Sequence, residues 1–245
     1  MKALIYHLYH SGVFLEIDDT VLIFDYYHDI SVPGREGLEA GVVDTTYLKG
    51  KRVYVFVTHR HSDHYNPLIF DWQKRVKDIK YILSNDIKIK SRGHNMIFME
   101  KYQERIIDDI KVRTYGTTDQ GLSYFLEAKD LNIYHAGDLN WWKWPDFSIE
   151  KQLQEERDFK NEVARIKGEV IDIAFIPVDP RLGENYYLAG KYFAQSLEPE
   201  LLVPIHFGDN YQITDKFAAI MADTAVDSAI LAGRGSKIVF TKENW

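Results

Sequence analysis

The chain has 245 residues, of which 45% are hydrophobic and 27% charged, the balance of an ordinary globular protein. Its net charge of −7 argues against a broad nucleic-acid footprint, because neutralising phosphates requires a basic face. The absence of cysteine excludes disulfides, thiolate metal sites and cysteine nucleophiles, so any metal must be held by nitrogen and oxygen atoms.

The first part of the chain is predicted to form short strands. Runs of β-branched and aromatic residues occupy 3–9, 12–17 and 20–26, and the Asp-Asp pair at 18–19 predicts a hairpin turn between the last two. The run at 52–58 is almost continuously apolar, which is typical of a strand buried on both faces. Further strands are predicted at 80–84, 110–115, 122–128 and 131–136.

The second half alternates between helices and strands. Apolar residues near helical spacing among dense charges predict an amphipathic helix at 149–167. Strands are predicted at 170–178, 201–205 and 237–240, and helices at 187–197 and 212–222. There is no repeat or linker-like stretch, so we expect one domain spanning residues 1–245, with sheets covered by helices.

Nothing in the sequence indicates export or a membrane span. The apolar stretch at the N-terminus is interrupted by His7 and His10 and lacks a small-residue cleavage site. No segment approaches the roughly 18 uninterrupted apolar residues that a span needs. We therefore expect a cytoplasmic protein without a membrane partner.

A dense group of metal-ligating residues follows the buried strand at 52–58. His59, His61, Asp63 and His64 form an H-x-H-x-D-H pattern, which is rare by chance in a chain with nine histidines. Alternate side chains of a strand share a face, so His59 and His61 can point the same way, and the following turn brings Asp63 and His64 round. The pattern predicts a site for one metal ion or two adjacent ions.

Two more apolar runs end in a residue that can bind metal. The strand at 131–136 leads into Gly137-Asp138, and the strand at 201–205 leads into His206. A lone Asp or His at a strand end is usually a cap or a turn residue. Because three apolar runs all end in this way, the sequence favours a shared role in metal binding.

Taken in order, these motifs resemble the metallo-β-lactamase superfamily. The resemblance implies a four-layer αββα sandwich of two mixed β-sheets, with metals at the sheet edges. The opening segment, the stretch "YHAGD" and the stretch "AFIPVDPRLGE" are similar to the branch that contains ascorbate-6-phosphate lactonase. The resemblance assigns His59 and His61 to a first metal and Asp63 and His64 to a second. It makes Asp138 the bridging ligand and His206 the last ligand of the second site.

One segment departs from the superfamily pattern. Where a further histidine for the first metal is usual, this chain has Thr117 and Thr118, and Asp119 is the nearest residue able to ligate. Either Asp119 substitutes, or the first site is weaker.

Several neighbouring residues have open roles. His135 is expected to support a ligand rather than to be one, and Asp25 either hydrogen-bonds a ligand histidine or caps a turn. His10 either lines the pocket or packs. Asp179 and Arg181 are expected to form an internal ion pair, although Arg181 could bind an anionic group of a substrate. Trp141 and its neighbours Trp142 and Trp144 either cover the core or form an aromatic pocket wall.

The expected activity is metal-dependent hydrolysis of an ester, lactone or phosphodiester bond in a small molecule. One or two divalent ions of Zn, Mn, Fe or Ni suit these ligands, and Asp63 and His64 are the expected catalytic residues. The alternatives are a nuclease or phosphodiesterase, an iron-dependent oxidoreductase, and a non-catalytic metal-binding protein. The iron enzymes of the superfamily typically have glutamate where this chain has His61. The sequence leaves the substrate, the native metal and the oligomeric state open.

Overall fold

A computed structural model of the chain describes residues 1–242. The chain divides into two compact units, the first formed by Met1–Glu100 with the chain from Leu231 onward, and the second by Lys101–Ile230. Each unit contains one mixed seven-stranded sheet, so the predicted α/β class with two mixed sheets is confirmed. That both units belong to one domain stays a prediction. None of the helices in residues 1–242 is long and apolar enough to cross a bilayer.

The regular secondary structure of unit one consists mainly of strands, numbered here in chain order. They are β1 (Lys2–Tyr9), β2 (Gly12–Ile17), β3 (Thr20–Phe24), β4 (Arg52–Val57), β5 (Ile79–Ser84), β6 (Met96–Met99) and β14 (Lys237–Thr241). Their order in the sheet is β14-β1-β2-β3-β4-β5-β6. Pairing is antiparallel from β14 to β3 and parallel from β3 to β6. Two short 3₁₀ helices, Gly37–Ala40 and Pro67–Lys74, complete the unit.

The central strands of unit one are apolar throughout because both of their faces are covered. On one face Val55 and Val57 belong to a buried cluster with Trp72 of the second 3₁₀ helix. On the other face Phe24 of β3 stacks on Phe56 of β4, with ring centroids 4.8 Å apart. Burying each such side chain contributes roughly 1.5–3 kcal/mol. This packing fixes the carboxyl ends of β3 and β4 side by side, which is where the polar residues of the unit begin.

Unit two combines a second sheet with three α-helices. Its strands are β7 (Glu104–Ile107), β8 (Ile110–Tyr115), β9 (Ser123–Ala128), β10 (Leu131–His135), β11 (Ile173–Pro177), β12 (Leu201–Ile205) and β13 (Asp227–Ser228). Its helices are α1 (Ile149–Ile166), α2 (Leu188–Leu197), α3 (Gln212–Met221) and the 3₁₀ helix Pro180–Asn185. The sheet order is β13-β12-β11-β10-β9-β8-β7, parallel from β13 to β10 and antiparallel from β10 to β7.

The predicted amphipathic helix is α1. Ser148 caps it by accepting a hydrogen bond from the Lys151 backbone N–H at 3.2 Å. Phe159, Val163 and Ile166 are buried, as their spacing predicts. Ile149 and Leu153 lie on the same spacing but are exposed. The apolar stripe of α1 therefore contacts the unit only in its second half.

Candidate metal-binding residues

In unit one, a buried aspartate organises the end of the two central strands. Asp25 follows β3 directly, has a left-handed backbone with φ of 44°, and is fully buried. Its Oδ1 accepts a hydrogen bond from the Thr58 N–H at 2.8 Å, and its Oδ2 accepts one from the Thr58 hydroxyl at 2.7 Å. The same Oδ2 lies 2.7 Å from Nδ1 of His64. Of the two roles open for Asp25, the structure shows the bond to a candidate ligand histidine.

The H-x-H-x-D-H segment folds into a compact turn after β4. The backbone N–H groups of His64 and Tyr65 both donate to the His61 carbonyl, at 3.1 and 3.0 Å. The turn brings the rings of His59 and His64 to 4.2 Å and those of His59 and His61 to 4.5 Å. Ring nitrogens of His59 and His64 come within 4.8 Å of each other. The segment therefore gathers its histidines as the sequence predicts.

Asp63 lies at the accessible side of this cluster. Its side chain is 47% exposed, whereas His59 and His64 are fully buried. The Oδ2 atom of Asp63 is 3.7 Å from Nε2 of His10, which belongs to the turn between β1 and β2. His10 therefore faces the candidate ligands, which decides between its two open roles in favour of lining the site.

In unit two, a glycine turn carries Asp138 out of β10. Gly137 has φ of 53°, a backbone conformation that glycine adopts without strain, and the N–H of Ala136 donates to the Phe175 carbonyl. The Thr118 hydroxyl lies 3.3 Å from the carbonyl of Asp138 and 2.6 Å from that of Asn140. Thr118 is one of the two threonines, with Thr117, at which the superfamily resemblance leads us to expect a histidine, and its hydroxyl holds the Asp138 loop.

Asp119 is exposed, and it lies close to Asp138. A carboxylate oxygen of Asp119 and one of Asp138 are within 4.8 Å of each other. Two carboxylate oxygens this close together can both bind one metal ion. Ligation by Asp119 stays a prediction.

His206 follows β12 and is held by a second buried carboxylate. Its Nδ1 lies 3.1 Å from Oδ2 of Asp179, and its Nε2 lies 3.2 Å from Oδ1 of Asp138. Arg181 donates from Nε and Nη2 to both oxygens of Asp179, as expected for an internal ion pair. Burial alone would raise the pKa of Asp179, but hydrogen bonds from His206 and Arg181 outweigh it and lower that pKa. Asp179 is therefore a carboxylate that stays ionised.

His135 and the three tryptophans occupy the surroundings of the Asp138 loop. His135 is fully buried, and its Nδ1 accepts a hydrogen bond from the Gly137 N–H at 3.2 Å, so it supports the loop. Trp141 stacks on Phe159 of α1, with ring centroids 6.0 Å apart, so Trp141 packs over the core. Trp142 lies edge-on to His206 at 5.6 Å and stacks on Trp144. Trp142 is thus the tryptophan beside a candidate ligand.

Both units repeat one arrangement that suits metal binding. A buried carboxylate engages Nδ1 of a histidine that lies beyond the end of a strand, Asp25 for His64 in the turn after β4 and Asp179 for His206 after β12. This bond fixes the ring orientation and the tautomer and leaves Nε2 as the ligand atom. Neutral imidazoles and carboxylates are suitable ligands for Zn, Mn, Fe and Ni. The residues present therefore fit a divalent transition metal.

Sequence reasoning missed two polar residues of these clusters. Thr58 is the last residue of the predicted strand, where threonine is an ordinary strand former, and only the neighbouring strand end at Asp25 signals its role. Asn140 is fully buried, and its N–H donates to the Thr118 hydroxyl at 3.0 Å. Its position two residues after a strand-end aspartate was the available signal.

No protein-family model matches the chain. A protein named UPF0173 metal-dependent hydrolase from Enterococcus faecalis (strain ATCC 700802 / V583) is 25% identical over 242 residues, covering 91% of this chain and 93% of that protein. The structure of Igni18, a metallo hydrolase from Ignicoccus hospitalis, is similar with a TM-score of 0.66 and 16% identity, over 99% of this chain and 100% of that one. The metallo-β-lactamase fold protein YhfI from Bacillus subtilis is similar with a TM-score of 0.61 and 13% identity, over 98% and 100%. These likenesses confirm the predicted fold.

Proposed function

We propose that the chain is a member of the metallo-β-lactamase superfamily and a metal-dependent hydrolase that cleaves an ester, lactone or phosphodiester bond in a small molecule. The observation that carries this proposal is the pair of carboxylate-held histidines, His64 on Asp25 and His206 on Asp179. Fixing a histidine through Nδ1 prepares Nε2 to bind a metal ion. The name and fold of the relatives support the same conclusion.

The proposed ligands are the strand-end residues of each unit. They are His59, His61, Asp63 and His64 in unit one and Asp138 and His206 in unit two, with Asp119 as a further candidate. When bound, a divalent ion supplies a water molecule of lowered pKa and stabilises negative charge that develops on the substrate. The donor set suits Zn, Mn, Fe or Ni, and one or two ions.

The chain's own residues orient the site and move the proton. Asp25 and Asp179 hold the rings of His64 and His206 in one orientation and one tautomer. Asp63 has the most exposed carboxylate of the unit-one cluster, so it is placed to orient an attacking water and to take up its proton. The side chain of Arg181 is 54% exposed although it bonds Asp179, so it can also contact an anionic group of a substrate.

Within this activity, the resemblance to the ascorbate-6-phosphate lactonase branch supports a lactone as the first substrate class to examine. A phosphodiester is the second class, whereas the net charge of −7 does not favour nucleic acid. His61 stands where iron-dependent oxidoreductases of the superfamily typically have glutamate, so that chemistry is not favoured. A cytoplasmic location is part of the same proposal.

The test measures metal and activity together. Elemental analysis should find at least one transition metal ion per wild-type chain and much less in the double variant His59→Ala/His61→Ala. The wild type should hydrolyse members of a panel of lactones, esters and phosphodiesters, and chelation should abolish that activity. Equal metal content in both proteins would refute the ligand assignment. Metal binding without hydrolysis of any substrate in the panel would favour a non-catalytic metal protein instead.

A further inference from the structure

The turn that joins β1 to β2 has a histidine where a hairpin loop favours glycine or asparagine. Tyr9 pairs with Gly12 across the hairpin, so His10 and Ser11 form a two-residue loop. His10 has φ of 53°, in the left-handed region that is strained for a residue with a Cβ. Strain of this kind occurs at functional sites as well as in ordinary hairpin turns, so the contacts of the His10 side chain decide whether it has a function.

The surrounding backbone holds His10 in this position. The pairing of β1 with β2 shifts register between His7 and Tyr9, an irregularity of the kind that redirects side chains beside active sites. The fully buried ring of His7 contacts the His10 carbonyl through Nε2 at 3.1 Å. Arg234 donates from Nε to the Leu8 carbonyl at 2.7 Å. The loop is therefore fixed from several sides, and the direction of His10 is set by the fold.

His10 points toward the two residues at the accessible side of the unit-one cluster. It is only 8% exposed, and its ring lies edge-on to that of His64 with centroids 5.7 Å apart. Its Nε2 is 3.7 Å from Oδ2 of Asp63. Ligand atoms of His10, Asp63 and His64 all lie within 4.8 Å of one another.

The distance between His10 and Asp63 suits a shared ion better than a direct bond. At 3.7 Å the two atoms are too far apart for a hydrogen bond. Two ligands of one tetrahedral ion, each bound at about 2.1 Å, are separated by about 3.4 Å, close to the observed value. Two nitrogens and one carboxylate oxygen form a ligand set that a divalent transition metal accepts.

We propose that His10 is a metal ligand. Its Nε2 atom binds the same ion as Asp63 and His64. The proposal rests on the proposed function, because it adds a ligand to that metal site. It also goes beyond the superfamily resemblance, whose ligands come from strand ends and not from the β1–β2 hairpin. In this chain, the N-terminal hairpin thus becomes part of the metal site.

The test uses His10→Gly, which removes the ring and also relieves the strained backbone. We expect the metal-free variant to melt at the same temperature as the metal-free wild type or higher. In a titration with Co²⁺ alone, the variant should bind one ion at least about 10-fold more weakly, and the visible absorption of that ion should change as a nitrogen ligand is lost. The matched control is Asp18→Gly. Asp18 has the same φ of 53°, is exposed and lies in the β2–β3 hairpin, so its replacement should leave Co²⁺ binding unchanged.

Each outcome decides the matter. Wild-type Co²⁺ affinity and absorption in His10→Gly would overturn the proposal while leaving the proposed function intact. A wild type that binds no Co²⁺ would overturn both. If His10→Gly does not fold, His10→Asn takes its place, because asparagine tolerates the left-handed backbone. Weaker Co²⁺ binding by a folded His10→Asn supports ligation, and unchanged binding refutes it.

Discussion

Asp25 is the residue on which the unit-one cluster depends most directly, and its charge should control metal affinity. In Asp25→Asn an NH2 donor replaces one of the two acceptor oxygens, so it would either donate to Nδ1 of His64 or face the Thr58 N–H, which is itself a donor. Donation to Nδ1 moves the ring proton to Nε2, the proposed ligand atom. We expect metal affinity to fall about 10- to 100-fold, measured by competition with a chromophoric chelator.

The control for Asp25 is Asp44→Asn. Asp44 is exposed and bonds Thr46 in a surface turn, so the same change of charge should leave the affinity as it is. An Asp25→Asn protein that binds metal as the wild type does would show that Asp25 acts only as a turn residue.

Asp63 should matter to turnover more than to substrate binding. Asp63→Asn keeps the shape of the side chain but removes the charge that orients water and accepts a proton. We expect kcat to fall about 100-fold or more with a modest change in KM, measured on whichever substrate the hydrolysis panel identifies. Asp71→Asn, on the exposed face of a 3₁₀ helix, is the matched control. A near-normal kcat would remove Asp63 from the proposed chemistry.

Part of the site could be predicted from sequence and part could not. The sequence predicts His59, His61 and Asp63 as ligands because they lie together along the chain and follow an apolar run. The bond between Asp25 and His64 joins residues 39 positions apart, and a strand-end aspartate that caps a turn has the same sequence signature. The role of His10 depends on a backbone angle and a register shift, which no residue pattern in the hairpin reveals.

At the scale of elements, the segments around the β1–β2 hairpin are joined by one buried arginine. The Arg234 guanidinium donates to the carbonyls of Leu8, His28 and Gly41 at 2.7 to 2.9 Å, and it also bonds the carbonyl of Ile30. Replacing it by methionine would leave buried carbonyls without a donor. We expect Arg234→Met to lower the free energy of unfolding by about 3 kcal/mol, measured by urea denaturation.

The planar guanidinium of Arg234 carries several donors that point in different directions, and this can be tested separately from its charge. A lysine at 234 keeps the charge but presents its donors at one point, so Arg234→Lys should recover less than half of the loss. Arg75→Met removes an exposed arginine of the same unit and should change stability by less than about 0.5 kcal/mol. Full recovery by lysine would mean that charge alone, and not the fork of donors, holds these segments.

The long elements were predictable and the short ones were not. Strands β4 and β11 are apolar because both faces are covered, and α1 has helical spacing. β6, β7 and β13 were missed because each has four residues or fewer and lies at or next to a sheet edge. Ile106 of β7, for example, is 74% exposed, so burial leaves no pattern there. Such strands are defined by backbone pairing with a neighbouring strand, and the composition of a short segment does not reveal that pairing.

Across the whole molecule, the two sheets have the same pairing pattern. Each has three antiparallel contacts followed by three parallel contacts, counted from β14 in unit one and from β7 in unit two. The carboxyl ends of neighbouring parallel strands meet at one edge of a sheet. In both units, that is where a carboxylate-held histidine stands. The position of the candidate ligands therefore follows from the topology of each sheet.

A metal ion that binds only the folded chain must also stabilise it. At a free concentration of 100 times its Kd, one bound ion contributes about 2.7 kcal/mol, which for a chain of this length raises the melting temperature by roughly 5–10 °C. Calorimetry of the wild type with excess Zn²⁺ or Mn²⁺, and then with excess chelator, should show this difference. In His59→Ala/His61→Ala the difference should shrink, because ligands have been lost while the surrounding strands remain. A wild type that melts at one temperature with metal and with chelator would mean that these histidines and aspartates do not hold an ion in the folded chain.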